Sequence, residues 1–94
     1  MKLSVKVYNS TFEGKIKAMV SVYFNDCFVI KGFKIIDGKN GLFIANPSKK
    51  NGEGEFVDVA HPVTKEFREE LYSKIRDEYS KHKISEGNDI IWEI

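Results

Sequence analysis

Two groups of basic side chains are the residues of this sequence best suited to do chemistry. The first is the adjacent pair Lys49 and Lys50, which lies among the turn-forming residues from Asn46 to Gly54. Long, flexible lysine side chains can reach the phosphate oxygens of a nucleic-acid backbone without a fixed geometry. The pair therefore favours binding to a polyanion.

The second group lies on a predicted helix. At about 100° of rotation per residue, Lys65, Arg76 and Lys83 project in nearly one direction, and Arg68 lies on the adjacent edge. One edge of this helix could then contact phosphates. The carboxylates that point well away from this edge are Glu66, Glu70 and Asp77.

Other interpretations of these side chains stay open. Lysine and arginine also lie beside a core with their charge in water, which is a purely structural role. A different mode of nucleic-acid binding would stack the bases of a single strand on aromatic side chains, although such side chains are also typical of a core. The candidates for that platform are Tyr23, Phe28, Phe33 and Phe43.

An enzyme is poorly supported by the sequence. Asp58 and His61 could form a general-base pair, but a histidine before a proline more often makes a structural hydrogen bond. Cys27, His61 and His82 do not form a metal-ligand set. We predict no enzyme activity, no catalytic residue, no metal and no cofactor.

Length, composition and charge indicate the class of protein to which these residues belong. Ninety-four residues with 41% hydrophobic and 31% charged side chains suit one small globular domain. Residues 1–50 carry a net charge of +6 and residues 51–94 a net charge of −5, an asymmetry that hints at a surface for polyanions. With one cysteine and no apolar run long enough for a signal peptide or a membrane span, we expect a cytoplasmic protein.

The elements that must position the basic residues are predicted from periodicity. Alternating apolar residues indicate strands over 3–8 and 15–24, and a third strand over 27–36 has apolar residues on both faces. A short strand is predicted over 42–45, a tight turn at Asn25-Asp26, and a bulge or a close approach at Gly32. Residues 46–54 are predicted to be an exposed loop. Residues 55–59 are predicted to be a fifth strand that closes a long hairpin.

The period changes after His61-Pro62. Phe67, Leu71, Ile75 and Tyr79 recur every four residues, which predicts an amphipathic helix capped by Thr64 and running to about residue 83. The tail from 84 to 94 contains Trp92 and has no clear pattern. We therefore expect a single domain over residues 1–83 followed by a tail of uncertain order.

The centre of the chain carries a composite motif made of these segments: Ile36-Asp37-Gly38, Gly41-Leu42-Phe43-Ile44-Ala45, Pro47-Ser48-Lys49-Lys50, Gly54-Glu55-Phe56, Asp58 and Ala60-His61-Pro62. This motif resembles that of the stage V sporulation protein G (SpoVG) family, and the resemblance covers residues 1 to about 83. Family members often have methionine at the position of Asn46 and a basic residue at that of Val57. These two departures predict a changed affinity or a changed preferred target.

The resemblance implies a fold and a function. It implies a bacterial, cytoplasmic homodimer that regulates septation and sporulation and binds DNA site-specifically and also RNA. Carried over by position, the nucleic-acid-binding residues are Lys49, Lys50, Lys65, Arg68 and Arg76.

Taken together, the sequence predicts an α+β fold. About five antiparallel strands form a meander, one C-terminal helix packs on it, and two copies pair through their sheet edges. The predicted function is nucleic-acid binding that regulates gene expression and cell division. The alternative is a regulator that binds proteins of the septation machinery, and no membrane association is expected.

Overall fold

The computed structural model describes residues 1–9 and 15–84, with side chains for 1–8 and 15–81. The predicted Asn9–Gly14 turn and the Trp92 tail lie largely or wholly outside the described residues. The elements in chain order are β1 (Leu3–Asn9), β2 (Ile16–Phe24), β3 (Phe28–Gly38), β4 (Gly41–Ala45), β5 (Ser48–Lys50), β6 (Phe56–Asp58) and α1 (Lys65–Ile84).

The main sheet is an antiparallel meander in the order β1-β2-β3-β4. Its alternation places one apolar face against α1, as the pairs Val5↔Val22 and Val7↔Val20 illustrate. This confirms the predicted α+β fold of an antiparallel sheet with one C-terminal helix. The buried apolar core consists of Leu3, Ala18, Val20, Val22, Phe33, Ile35, Leu71, Ile75 and Tyr79.

The turn between β2 and β3 forms without glycine. Asn25 and Asp26 both adopt left-handed backbone conformations, with φ of 52° and 56°. Asparagine and aspartate tolerate this region better than other non-glycine residues. Asn25 Oδ1 also accepts a hydrogen bond of 2.8 Å from the Lys2 amide, which ties the start of the chain to this turn.

A bulge interrupts the pairing of β2 with β3 at Gly32, as predicted. The register shifts between Val20 and Ser21, and Gly32 has a φ of 103°, which side chains with a Cβ rarely adopt. A Cβ on Gly32 would lie 3.5 Å from the Cβ of Pro47. The bulge therefore lies against the start of the segment that leaves the main sheet.

The segment from 48 to 58 differs from the predicted loop and fifth strand. Residues 56–58 do form a strand, but β6 pairs with β5 in a separate two-stranded sheet and not with β4. We call residues 48–58 the β5–β6 arm. Asn51 organises its tip, because Asn51 Oδ1 accepts hydrogen bonds from the amides of Glu53 (2.8 Å) and Glu55 (3.0 Å).

The helix begins where the sequence predicts. Thr64 Oγ1 accepts a hydrogen bond of 3.2 Å from the Phe67 amide, and the apolar stripe of α1 packs on the sheet, mainly across β1. The Phe67 ring lies 6.4 Å, centroid to centroid, from that of Phe24 and anchors the first turn. Over the described residues, no helix is both long and apolar enough to cross a membrane.

Removing the helix cap should lower stability measurably. We expect Thr64→Ala to reduce the free energy of unfolding by about 1 kcal/mol, because the Phe67 amide loses its acceptor. Chemical denaturation monitored by circular dichroism measures this. Thr64→Ser keeps the oxygen and should restore most of the loss, whereas Ser73→Ala in the exposed middle of α1 should change little. Equal effects at Thr64 and Ser73 would contradict the capping role.

Candidate nucleic-acid interface

The β5–β6 arm presents two lysines at the surface. Lys49 pairs with Val57 and Lys50 with Phe56 across the small sheet, and both lysine side chains are exposed. Lys50 Nζ lies 5.6 Å from the centroid of the Phe56 ring. A cation–π contact at an exposed site is weak, so the ammonium group remains available to a phosphate.

An open cleft of about 650 Å³ separates the arm from the first turns of α1. The arm contributes one wall and the helix contributes Arg68 and Tyr72. The lining residues are Asn46, Phe56, Val57, Asp58, His61, Pro62, Arg68 and Tyr72.

A chain of hydrogen bonds crosses this cleft. The Tyr72 hydroxyl donates to Asn46 Oδ1 at 2.6 Å, and Asn46 Nδ2 donates to Asp58 Oδ2 at 3.3 Å. This chain links the helix to Asn46, which precedes the arm, and to Asp58 at the end of the arm. His61 Nδ1 is 3.1 Å from the Pro62 carbonyl oxygen and donates to it in the tautomer protonated at Nδ1.

Burial raises the pKa of the Tyr72 phenol above its ordinary value of 10.0. The negative charge of Asp58 acts in the same direction. The positive charge of Arg68 acts against this rise. The phenol therefore stays protonated, and keeps donating to Asn46, across the neutral range of pH.

The raised pKa predicts a loss of stability in alkali. A tyrosine of the unfolded chain ionises first, so the contribution of Tyr72 is fully present below pH 10.0 and is lost as the pH rises through the folded-state pKa. The measured quantity is the difference in free energy of unfolding between the wild type and Tyr72→Phe. This difference should be constant at lower pH and shrink as the pH rises. Urea titrations between about pH 9 and 12 measure this difference. A difference that does not change with pH would contradict the prediction.

Of the five predicted binding residues, Arg68 alone is among the described residues that line the cleft. Lys49 and Lys50 lie on β5, which pairs with the cleft-lining strand β6. Lys65 and Arg76 lie on α1 with Arg68, and they do not line the cleft either. The lysine pair and Arg68 thus belong to the two elements, the arm and α1, that form the walls of the cleft.

These cations have no carboxylate partner in the part of the chain that the structure describes. Ion pairs there join Lys2 to Asp26 at 2.7 Å, Lys17 to Asp37 at 3.9 Å, and Lys81 to Glu78 at 3.5 Å. None of these pairs involves a predicted binding residue. Glu69 lies on the same helical face as Lys65 and reduces the positive charge at that end.

Asn46 and Tyr72 are site residues that sequence reasoning did not assign together. Asn46 enters the sequence analysis only as a departure from the family pattern, and Tyr72 carries no sequence signal of its own. Their contact spans 26 positions of the chain and has no periodic signal. The strand beside them was predicted over residues 55–59, but the sequence did not indicate that it faces Tyr72 and Asn46.

The four-ring platform proposed for single strands does not form. Phe33 is 2% exposed and belongs to the core. Phe28 is exposed, but its ring packs against Phe24 at 6.2 Å between centroids. Residues on strands β2, β3 and β4 therefore do not share one stacking surface.

Comparison with known proteins places this geometry in context. The SpoVG family profile matches residues 1–81. Three relatives are each named "Putative septation protein SpoVG". The protein of Clostridium perfringens strain ATCC 13124 is 51% identical over 79 residues, covering 84% of this chain and 88% of its own. That of Thermoanaerobacter sp. strain X514 is 51% identical over 83 residues, covering 88% and 90%. That of Caldanaerobacter subterraneus subsp. tengcongensis is 47% identical over 89 residues, covering 94% and 98%.

Proposed function

We propose, from the fact that this chain belongs to the SpoVG family, that it is a nucleic-acid-binding regulator of gene expression linked to septation. The link to septation comes from the names that its relatives carry. The binding activity is our inference from the charged surface. The cytoplasm is the compartment where such a protein would meet its targets.

The observation that carries the binding proposal is the placement of Lys49 and Lys50 on the arm and of Arg68 on α1, the two elements that flank one open cleft. None of the three cations has a carboxylate within 4.0 Å among the described residues. An unpaired cation keeps its full attraction for phosphate, because no internal ion pair must break first. Lys65 and Arg76 would extend the contact along α1.

We also propose that two copies act together. The outer strands β1 and β4 leave backbone groups unpaired at the edges of the main sheet. Pairing through an edge would cover these groups and present two arms to one duplex. Light scattering at micromolar concentration should give about twice the 10.8 kDa monomer mass. The monomer mass would contradict a two-arm contact.

Mobility-shift and fluorescence-anisotropy titrations test the binding proposal. Wild-type protein is titrated into duplex DNA, duplex RNA and single strands of each at about 50 and 200 mM salt. We expect binding that weakens steeply with salt, because phosphate contacts release counterions. Absence of binding to all four nucleic acids at the lower salt would refute the proposal.

A second candidate function is supported by apolar side chains at the same surface. Phe56, Val57, Val59 and Val63 are all exposed, and such side chains are typical of sites that contact other proteins. The protein would then regulate septation by binding a protein of the division machinery. Two results together would favour this second function. The wild type would not bind nucleic acid at 50 mM salt, and Phe56→Ser would no longer capture the division-machinery protein that the wild type captures.

A further inference from the structure

We propose that the cleft between the arm and α1 binds one unpaired guanine base of a single-stranded nucleic acid. This inference rests on the proposed function and adds a base-reading site to its phosphate contacts. It starts from the polar groups that remain unused in the cleft. The polar side chains are those of Asn46, Asp58 and Arg68, and Phe56 adds an aromatic ring.

Asp58 supplies two acceptors. Of the two carboxylate oxygens of Asp58, only Oδ2 accepts a hydrogen bond from a described residue. That bond comes from Asn46 Nδ2 and is long, at 3.3 Å. Guanine carries two adjacent donors on its Watson–Crick edge, at N1 and N2. A carboxylate can accept both at once, in the same bidentate way that it accepts two N–H groups of arginine. Adenine, cytosine and uracil offer no such pair of adjacent donors.

Asn46 and Arg68 supply donors beside these acceptors. Asn46 Oδ1 is held by the Tyr72 hydroxyl at 2.6 Å, which fixes the amide so that its nitrogen faces Asp58. The second N–H of that nitrogen is not used by a described residue. This N–H, or the guanidinium of Arg68, can donate to guanine O6. The cleft thus offers a donor next to two acceptors, which complements guanine.

Phe56 supplies a stacking surface at the mouth of the cleft. Its side chain is 71% exposed, so the ring is open to a base that enters the cleft. Bases stack on such rings with little regard to sequence. Lys50, whose ammonium lies 5.6 Å from the ring centroid, is then close to the phosphate of the stacked nucleotide.

The base must be unpaired. Its Watson–Crick edge is hidden in a duplex and is free only in a single strand, a loop or a flipped nucleotide. The volume of about 650 Å³ is large enough for a nucleotide. The proposal therefore concerns RNA loops and single strands, while the phosphate contacts serve duplexes as well.

Anisotropy titrations with nine-nucleotide RNAs test this site. The RNAs are all-uridine except for a central guanosine, inosine, adenosine or uridine. We expect the guanosine RNA to bind about tenfold more tightly than the adenosine and uridine RNAs. Inosine lacks the N2 amino group and should lose most of that advantage.

Two variants assign the preference to Asp58. Asp58→Asn should bind the guanosine and uridine RNAs within about twofold of each other, because one acceptor becomes a donor. Glu53→Gln removes the same charge from the exposed tip of the arm and should keep the tenfold preference. Circular dichroism verifies that both variants fold.

The possible outcomes distinguish failure of the guanine site from failure of the proposed function. Tight, salt-dependent binding that is equal for all four RNAs would overturn the guanine site and leave the proposed function standing. A guanosine preference that survives in Asp58→Asn would also overturn the site. No binding to any RNA, and none to duplex DNA, would refute both.

Discussion

Replacing Ile75 by alanine should lower the free energy of unfolding by about 3–4 kcal/mol. Ile75 is 0% exposed and lies in the core cluster between α1 and the sheet, with Leu71 and Tyr79 on the same stripe. The substitution removes three carbon atoms and leaves a cavity that close-packed neighbours fill only in part. Domains of this size have about 5–14 kcal/mol of stability in total. The variant should therefore lose a large share of its free energy of unfolding.

Chemical denaturation with a graded series measures this effect. Ile75→Val removes one carbon atom and should cost about 1 kcal/mol. Val63→Ala is the surface control, since Val63 is 85% exposed and should change stability by less than about 0.5 kcal/mol. A cost below about 1 kcal/mol for Ile75→Ala would contradict the packing of α1 on the sheet.

The double substitution Lys49→Glu with Lys50→Glu should weaken binding to duplex DNA about 100-fold at 50 mM salt. Two phosphate contacts are lost, and two carboxylates then repel the backbone. The loss should be nearly equal for all DNA sequences, because phosphate contacts carry little sequence information. The slope of log affinity against log salt should fall in magnitude by about two per subunit.

A matched charge reversal away from the arm provides the control. Lys39 is exposed at the β3–β4 turn, and Lys74 is exposed on α1 away from the cleft. Lys39→Glu with Lys74→Glu changes the net charge by the same amount and should weaken binding much less. Equal losses in the two double variants would mean that the total charge, and not the arm, determines affinity.

The main elements of the fold could be predicted from sequence because their signals are local. The stripe Leu71, Ile75 and Tyr79 repeats at helical spacing, and the capping oxygen of Thr64 directly precedes α1. The glycine at the β3 bulge was also predictable, since a positive φ favours that residue. Each of these features depends on a few neighbouring residues.

The candidate site could be predicted only in part. The clustered lysines of the arm are visible in the sequence, but β5 is a three-residue polar strand without an alternating pattern. Its pairing with β6, and hence the wall that faces Arg68, depends on contacts between distant segments. The bond from Tyr72 to Asn46 is of the same kind. Spacing alone could not show that Arg68, rather than Lys65 or Arg76, is the helical cation that lines the cleft.

The arm also has a consequence for how such proteins diversify. None of the residues in β6 is buried, Lys49 and Lys50 are exposed, and no arm residue belongs to the core cluster among the described residues. Exchanges on this surface therefore cost the scaffold little. Under the proposed function, natural variation at these positions would change which targets are recognised and leave the core unaltered, so specificity could evolve separately from the scaffold.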